Sequence, residues 1–174
     1  AYVYERNSSG EWTEVQKLIP SDQAESDRFG FSVAISDDRL IIGANTKTFD
    51  DGTLAGTLDF AGAAYVFERI SGTWTEVAKL LASDKASSDR FGNAVGISGD
   101  YAIVGGDSED HDADGLNFVS NAGSAYIFER STGGIWTEVE KLVATDRMAD
   151  EEFGFTVSIS GEHAAVGAYQ DDED

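Results

Sequence analysis

The stretch Trp12-Thr13-Glu14-Val15 returns as Trp74-Thr75-Glu76-Val77 and again as Trp136-Thr137-Glu138-Val139, a spacing of 62 residues both times. The same period links Lys17, Lys79 and Lys141; Asp22, Asp84 and Asp146; Phe29-Gly30, Phe91-Gly92 and Phe153-Gly154; and Gly43, Gly105 and Gly167. Register kept over so many positions makes the 174-residue chain three copies of one unit, with approximate bounds 1–61, 62–122 and 123–174. A period of this size is the mark of a repeat architecture, in which each unit buries its apolar face only against its neighbours.

Each unit reads as four short strands. The first is Tyr2-Val3-Tyr4-Glu5-Arg6, matched by Tyr65-Val66-Phe67-Glu68-Arg69 and Tyr126-Ile127-Phe128-Glu129-Arg130, all rich in aromatic and β-branched residues. A Gly/Ser turn joins it to the Trp-Thr-Glu-Val strand as a hairpin. The third runs from Phe29-Gly30 to Ser36, with Phe31, Val33 and Ile35 on one face and the small Ser32 and Ala34 on the other. Asp37-Asp38, Gly99-Asp100 and Gly161-Glu162 are the next two-residue turns. The fourth strand (Leu40-Ile41-Ile42-Gly43 and its copies) is apolar without alternation, which means burial on both faces. The fold class expected is therefore all-β, with four-stranded antiparallel sheets packed face to face as β-propeller blades. Propellers typically take about four to eight blades, so three repeats are expected to be part of a larger propeller or to form one together with another copy.

The motif Phe-Gly followed by Gly-Ala (Phe29-Gly30 to Gly43-Ala44, Phe153-Gly154 to Gly167-Ala168, with Gly105-Gly106 in the middle unit) resembles the FG-GAP repeat of integrin-alpha-type β-propellers. The bacterial form is the nearest likeness, on Gly123-Ser124-Ala125-Tyr126-Ile127-Phe128 and Asp89-Arg90-Phe91-Gly92. Two departures stand out. The Pro of the GAP element is absent from all three units, and Glu151-Glu152 replaces the Asp-Arg before the third Phe-Gly, removing any ion pair that Arg28 or Arg90 makes. The resemblance implies an extracellular or cell-surface protein that binds or adheres through its loops, with calcium ordering some of them.

The loop after the fourth strand of the second unit carries the chemistry. Asp110, Asp112, Asp114 and Gly115 form Asp-x-Asp-x-Asp-Gly. Alternate carboxylates followed by a turn-permitting Gly are how a short loop wraps oxygen ligands around Ca²⁺, and the next residue, Leu116, adds its backbone carbonyl. Integrin-type loops place another Asp three residues after the Gly, where this chain has Phe118; Asp107, Glu109 or water is expected to supply that oxygen. In the first unit Lys47 and Phe49 stand at ligand positions beside Asp50, Asp51 and Gly52, a poor match. Asp172 and Asp174 lie 62 residues after Asp110 and Asp112 and begin the third such loop.

Charge supports the same reading. Against 12 Lys and Arg the chain carries 33 Asp and Glu, a net charge of −21, of which −11 falls in the 42 residues of 44–61, 106–122 and 168–174. Carboxylates crowded in this way repel, and a divalent cation relieves the repulsion. So acidic a chain excludes nucleic acid as a partner, and no apolar run reaches the ~20 residues of a membrane-spanning helix. The start at Ala1-Tyr2-Val3-Tyr4 has no signal-peptide character, so an exported form is expected to be processed or excerpted.

Catalytic signals are poor. His111 and His163 fall at non-equivalent positions, and no nucleophile elbow, phosphate loop or zinc motif occurs. Asp22 and Asp27, with their copies, read as turn-forming acids, with an interblade contact or a second cation site as the alternative; Glu5-Arg6 reads as a solvated edge pair, and the three Trp as filler between blades, with a carbohydrate-stacking platform as the alternative. The expectation is a non-enzymatic binding or adhesion scaffold for a protein or glycan ligand, associating with itself or with further blades. A self-assembling subunit of a filament or surface layer is the alternative, and a propeller-based hydrolase or lyase ranks behind both.

Overall fold

The computed structural model describes residues 1–50, 52 and 56–171. Among them all regular structure is strand, in the order β1 (Tyr2–Arg6), β2 (Trp12–Lys17), β3 (Val33–Ser36), β4 (Arg39–Ala44), β5 (Phe49–Asp50), β6 (Thr57–Leu58), β7 (Ala63–Ile70), β8 (Thr73–Leu80), β9 (Ala94–Ser98), β10 (Tyr101–Gly106), β11 (Ser124–Arg130), β12 (Trp136–Leu142), β13 (Phe153–Ser160) and β14 (His163–Ala168). The turns fold as their residues dictate. Asp37, Gly99 and Gly161 adopt φ of 51°, 57° and 56°, the left-handed conformation that a two-residue hairpin turn requires.

The sheets do not coincide with the sequence repeats. One full blade is β3-β4-β7-β8 and the next is β9-β10-β11-β12, both antiparallel throughout. Each takes its two inner strands from one repeat and its two outer strands from the following one. β1-β2 and β13-β14 stand apart as two-stranded sheets, equivalent to the outer and inner halves of a blade. The bounds 1–61, 62–122 and 123–174 thus mark repeats of sequence, whereas the blades straddle them. The reason is that segment 18–32, between β2 and β3, crosses to the next sheet instead of returning as a hairpin.

Two apolar layers hold the stack together. Val3, Leu18, Ile42, Tyr65 and Trp74 pack between the first half-blade and the first full blade. Ile41, Val66, Phe91, Val104 and Trp136 pack between the two full blades. β4 and β10 are buried along nearly their whole length, as their unbroken apolar runs require.

The Phe-Gly and Gly-Ala elements prove to be one contact seen from two sides. Within a repeat, the Gly30 and Gly92 N–H groups donate to the carbonyls of Gly43 and Gly105, both at 3.0 Å. Between repeats, a Cβ on Gly43 would lie 2.0 Å from the carbonyl oxygen of Gly92, and a Cβ on Gly105 would lie 2.0 Å from that of Gly154. Backbone therefore touches backbone from blade to blade, and only a residue without a side chain fits there.

Alternating strand direction sorts the connections onto two rims. The described residues of loop 45–62 and loop 107–123 share one rim with the crossing segments, and the short hairpin turns lie on the other. On the hairpin rim, Arg69 pairs with Glu5 at 2.8 Å and Arg130 pairs with Glu68 at 2.8 Å. Glu5 and Arg6 are consequently not partners in a solvated pair: the Glu of one blade receives the Arg of the next. Arg28 and Arg90 make no ion pair among the described residues, so Glu151-Glu152 in the third unit removes none; Arg28 and Arg90 adopt left-handed φ of 54° and 55°, and Glu152 takes the same conformation at 56°.

The acidic loop rim

Each crossing segment is fastened by acids. The Asp27 carboxylate accepts the Ala24 N–H at 2.8 Å, Asp89 accepts that of Ala86, and Glu151 accepts that of Met148 at 2.9 Å. This is the expected turn role. Asp22 and Asp84 do something else, reaching across to the outer strands of the blade ahead. Asp22 accepts Tyr65 Oη and Lys79 Nζ, both at 2.7 Å. Asp84 accepts Tyr126 Oη at 3.0 Å and Lys141 Nζ at 2.6 Å. Partial burial works to raise the Asp22 pKa, but the bonds from Lys79 and Tyr65 outweigh it and hold the group at about 2. Ser21 and Ser83 complete the latch on Glu76 and Glu138, both at 2.7 Å from Ser Oγ.

Behind the latch the two full blades differ in charge. In the first, Lys47 is buried and donates to Asp27 Oδ2 at 2.8 Å and to the Asp22 carbonyl at 2.6 Å. The position 62 residues on is Glu109, only 1% exposed. Glu109 accepts Ser124 Oγ at 2.7 Å, the His111 N–H at 2.8 Å and an ion pair from Lys141 at 3.0 Å. Asp89, the counterpart of Asp27, is left buried with no ion pair among the described residues. Desolvation, with Glu109, Asp84 and Asp110 nearby, pushes its pKa up to about 7 despite the Ala86 N–H bond.

Of the predicted ligand residues, Asp107, Asp110, Asp112, Asp114 and Leu116 lie on this rim but do not all converge. Asp110 Oδ1 accepts the Asn121 N–H at 2.7 Å. Asp112 Oδ1 accepts the Leu116 N–H at 2.8 Å, and its other oxygen accepts from the Asn117 side chain. These bonds, the Asn117 one foremost, hold Asp112 at about 2, ionised at any ordinary pH. Gly115 turns the loop at φ 69°. Asp114 and Leu116 are exposed. Asp107 is buried below the loop, and its pKa is raised by that burial. Among the described residues no three His, Asp or Glu side chains are gathered closely enough to hold a metal ion. Asp172 and Asp174 lie outside the described residues, as does Asp51 of the first loop. The donor chemistry nonetheless fits a hard divalent cation, with alternate carboxylates on one side of a left-handed Gly.

The FG-GAP repeat family matches residues 12–67, 74–128 and 136–174, and the chain belongs to that family. No match is found among curated proteins. Its blades form a β-propeller-like binding scaffold, with the sheets left open at both ends of the stack. Among the described residues no helix is long and apolar enough to cross a membrane.

Proposed function

We propose that the chain is a non-enzymatic binding or adhesion scaffold at the cell surface or outside the cell, with Ca²⁺ ordering the 107–117 loop and a protein or glycan ligand meeting the loop rim. The observation that carries this reading is the run Asp110-x-Asp112-x-Asp114-Gly115, set on one rim of an FG-GAP blade stack with its Gly in the left-handed conformation. Asp107 and Glu109 add buried negative charge beneath it. Asp110, Asp112, Asp114 and the Leu116 carbonyl would hold the ion, with Asp107 or water completing the shell. Asp112 would exchange its bonds to Leu116 and Asn117 for the cation. Asp172 and Asp174 are proposed as the start of the equivalent third site.

Thermal melting in Ca²⁺ and in chelator tests this. A ligand at about 100 times its Kd stabilises the folded state by ~2.7 kcal/mol, so millimolar Ca²⁺ should raise the melting temperature by roughly 5 to 10 °C at this chain length. Asp112→Ala should abolish the rise. A melt indifferent to Ca²⁺ would contradict the calcium site.

A further inference from the structure

The base of the rim loop is charged differently in the two full blades. Three buried polar positions stand there, filled by Asp27, Asn45 and Lys47 in the first blade and, 62 residues on, by Asp89, Asp107 and Glu109 in the second. The first set is formally neutral and the second is all acid, although none of the six residues is more than 6% exposed. In the first blade three oxygens converge on one ammonium: Lys47 Nζ meets the Asp22 carbonyl at 2.6 Å, Asp27 Oδ2 at 2.8 Å and Asp22 Oδ2 at 3.4 Å. A cation thus already sits at the base of the loop whose sequence matches the calcium pattern poorly.

The second set has no such cation. Lys141 lies 3.0 Å from Glu109 but also 2.6 Å from Asp84, so two acids share one ammonium. Asp89 is bonded by the Ala86 N–H and makes no ion pair among the described residues. Asp107 accepts the Ser108 hydroxyl at 3.3 Å and likewise makes no ion pair; Arg90 attracts it from beyond ion-pair distance, and Glu152 repels it. Buried carboxylates without a counter-charge are costly to the folded state. Glu109 adjoins Asp110 in the chain, and the charge of Asp110 reaches Asp89, so the buried acids and the Asp-x-Asp-x-Asp-Gly carboxylates share one field. Both oxygens of Glu109 are engaged, one by the Ser124 hydroxyl and Lys141 and the other by the His111 N–H. Glu109 therefore acts on the loop by charge and not as a ligand.

We infer that the residue at positions 47 and 109 decides whether a blade loop takes up a cation. The Lys47 ammonium is the built-in cation of the first blade, whereas Glu109, with Asp89 and Asp107, leaves the second blade in need of positive charge, which a divalent cation on Asp110, Asp112 and Asp114 supplies. Asp171 stands at the same position of the third unit, an acid as in the second. The inference rests on the calcium reading of the second loop and adds the residue that directs the ion to that blade.

Glu109→Lys gives the second blade the residue of the first, with Asp84 and Asp89 in the places of Asp22 and Asp27. Thermal melting in chelator and Ca²⁺ binding by equilibrium dialysis test the inference, with binding at this loop taken as the part that Asp112→Ala removes. In chelator, Glu109→Lys should melt about 2 to 4 °C above the unaltered chain, because the new ammonium offsets the buried acids. Its Ca²⁺ affinity at the loop should fall roughly tenfold or more, since the charge behind the ligands changes by two units at close range. Glu109→Gln, which changes it by one unit and keeps the shape, should weaken binding less. Glu162→Lys makes the same two-unit change on the far, hairpin rim and should leave the affinity within about twofold. A folded Glu109→Lys chain with unchanged Ca²⁺ affinity, or one that melts no higher than the unaltered chain in chelator, would overturn the inference and leave the calcium site standing. An unaltered chain that binds no Ca²⁺ is a different result, one that contradicts the calcium reading itself and this inference with it.

Discussion

Gly105→Ala should lower the melting temperature by roughly 5 to 12 °C, the upper part of the range that overpacking gives at this chain length. Gly105 does not adopt a left-handed φ, so its conformation suits alanine and only space forbids it. The new methyl carbon would fall 2.0 Å from the carbonyl oxygen of Gly154 and 3.0 Å from its carbonyl carbon. Those atoms belong to backbone that is itself packed against Ser124, so relief requires separating two blades by an ångström or more. Overpacking in a close-packed interior destabilises by about 1–3 kcal/mol and occasionally more, and here no flexible side chain absorbs the strain. At roughly 2–4 °C per kcal/mol for a chain of this length, the loss is easily read in a thermal scan. Gly133→Ala is the control. Its added carbon would come no closer than 3.7 Å to the Ser131 side chain, and its melt should match that of the unaltered chain within about 2 °C.

Lys47→Met should cost about 3–5 kcal/mol at neutral pH, the usual penalty for removing one partner of a buried ion pair. Its ammonium and the Asp27 carboxylate are 6% and 7% exposed as side chains, 2.8 Å apart. Methionine fills the space but leaves Asp27 charged, buried and facing the Asp22 carbonyl that Lys47 had satisfied. Asp89 displays the outcome in the neighbouring blade, where Glu109 replaces the Lys and the Asp pKa stands at about 7. A carboxylate raised in this way binds its proton more tightly in the folded state than in the unfolded one, whose pKa is near 3.8. Stability is then fully present below pH ~4 and is lost as pH rises toward 7. The Lys47→Met penalty should therefore shrink on acidification from pH 7 to pH 5, and Lys47→Met with Asp27→Asn should recover much of the stability at pH 7. A penalty unchanged between pH 7 and pH 5 would show that Asp27 is not the buried charge responsible.

Much of the fold is legible in the sequence because its determinants are local. The period shows in Trp-Thr-Glu-Val, the strands in aromatic and β-branched runs, and the turns in Asp37-Asp38, Gly99-Asp100 and Gly161-Glu162. The phase of the sheets is not legible, because loop length points the wrong way. The connection that crosses between sheets, residues 18–32, is shorter than the one that returns within a sheet, residues 45–62. Pairing is decided instead by the two-sided burial of β4 and β10, which a local pattern reveals without naming the neighbours.

The loop rim divides similarly. Asp110, Asp112, Asp114 and Gly115 are evident from spacing, and their shared rim follows once the strands are placed. Lys47 and Glu109 are the residues that spacing leaves unexplained as functional parts, since each is buried behind the loop and not displayed on it. A signal exists, however. A lone Lys in one acidic loop faces a Glu at the same position of the next repeat, and a reversal of charge at one repeated position marks a pair whose partner differs. For Asp22 and Asp84 the turn reading, preferred from sequence over an interblade contact, gives way to that contact for a different reason. Their partners, Lys79 with Tyr65 and Lys141 with Tyr126, lie on the blade ahead and are adjacent only after folding.

The open ends, the shared rim and the interblade glycine contact all depend on one structural claim, that each sheet joins the second half of one repeat to the first half of the next. Cross-strand nuclear Overhauser contacts test it directly in a chain of 18.6 kDa. Contacts between Gly43 and Ala64 on β4 and β7, and between Gly105 and Ala125 on β10 and β11, are the predicted result. Contacts that instead join Trp12–Lys17 to Val33–Ser36 as neighbouring strands would place each sheet within a single repeat and contradict the account.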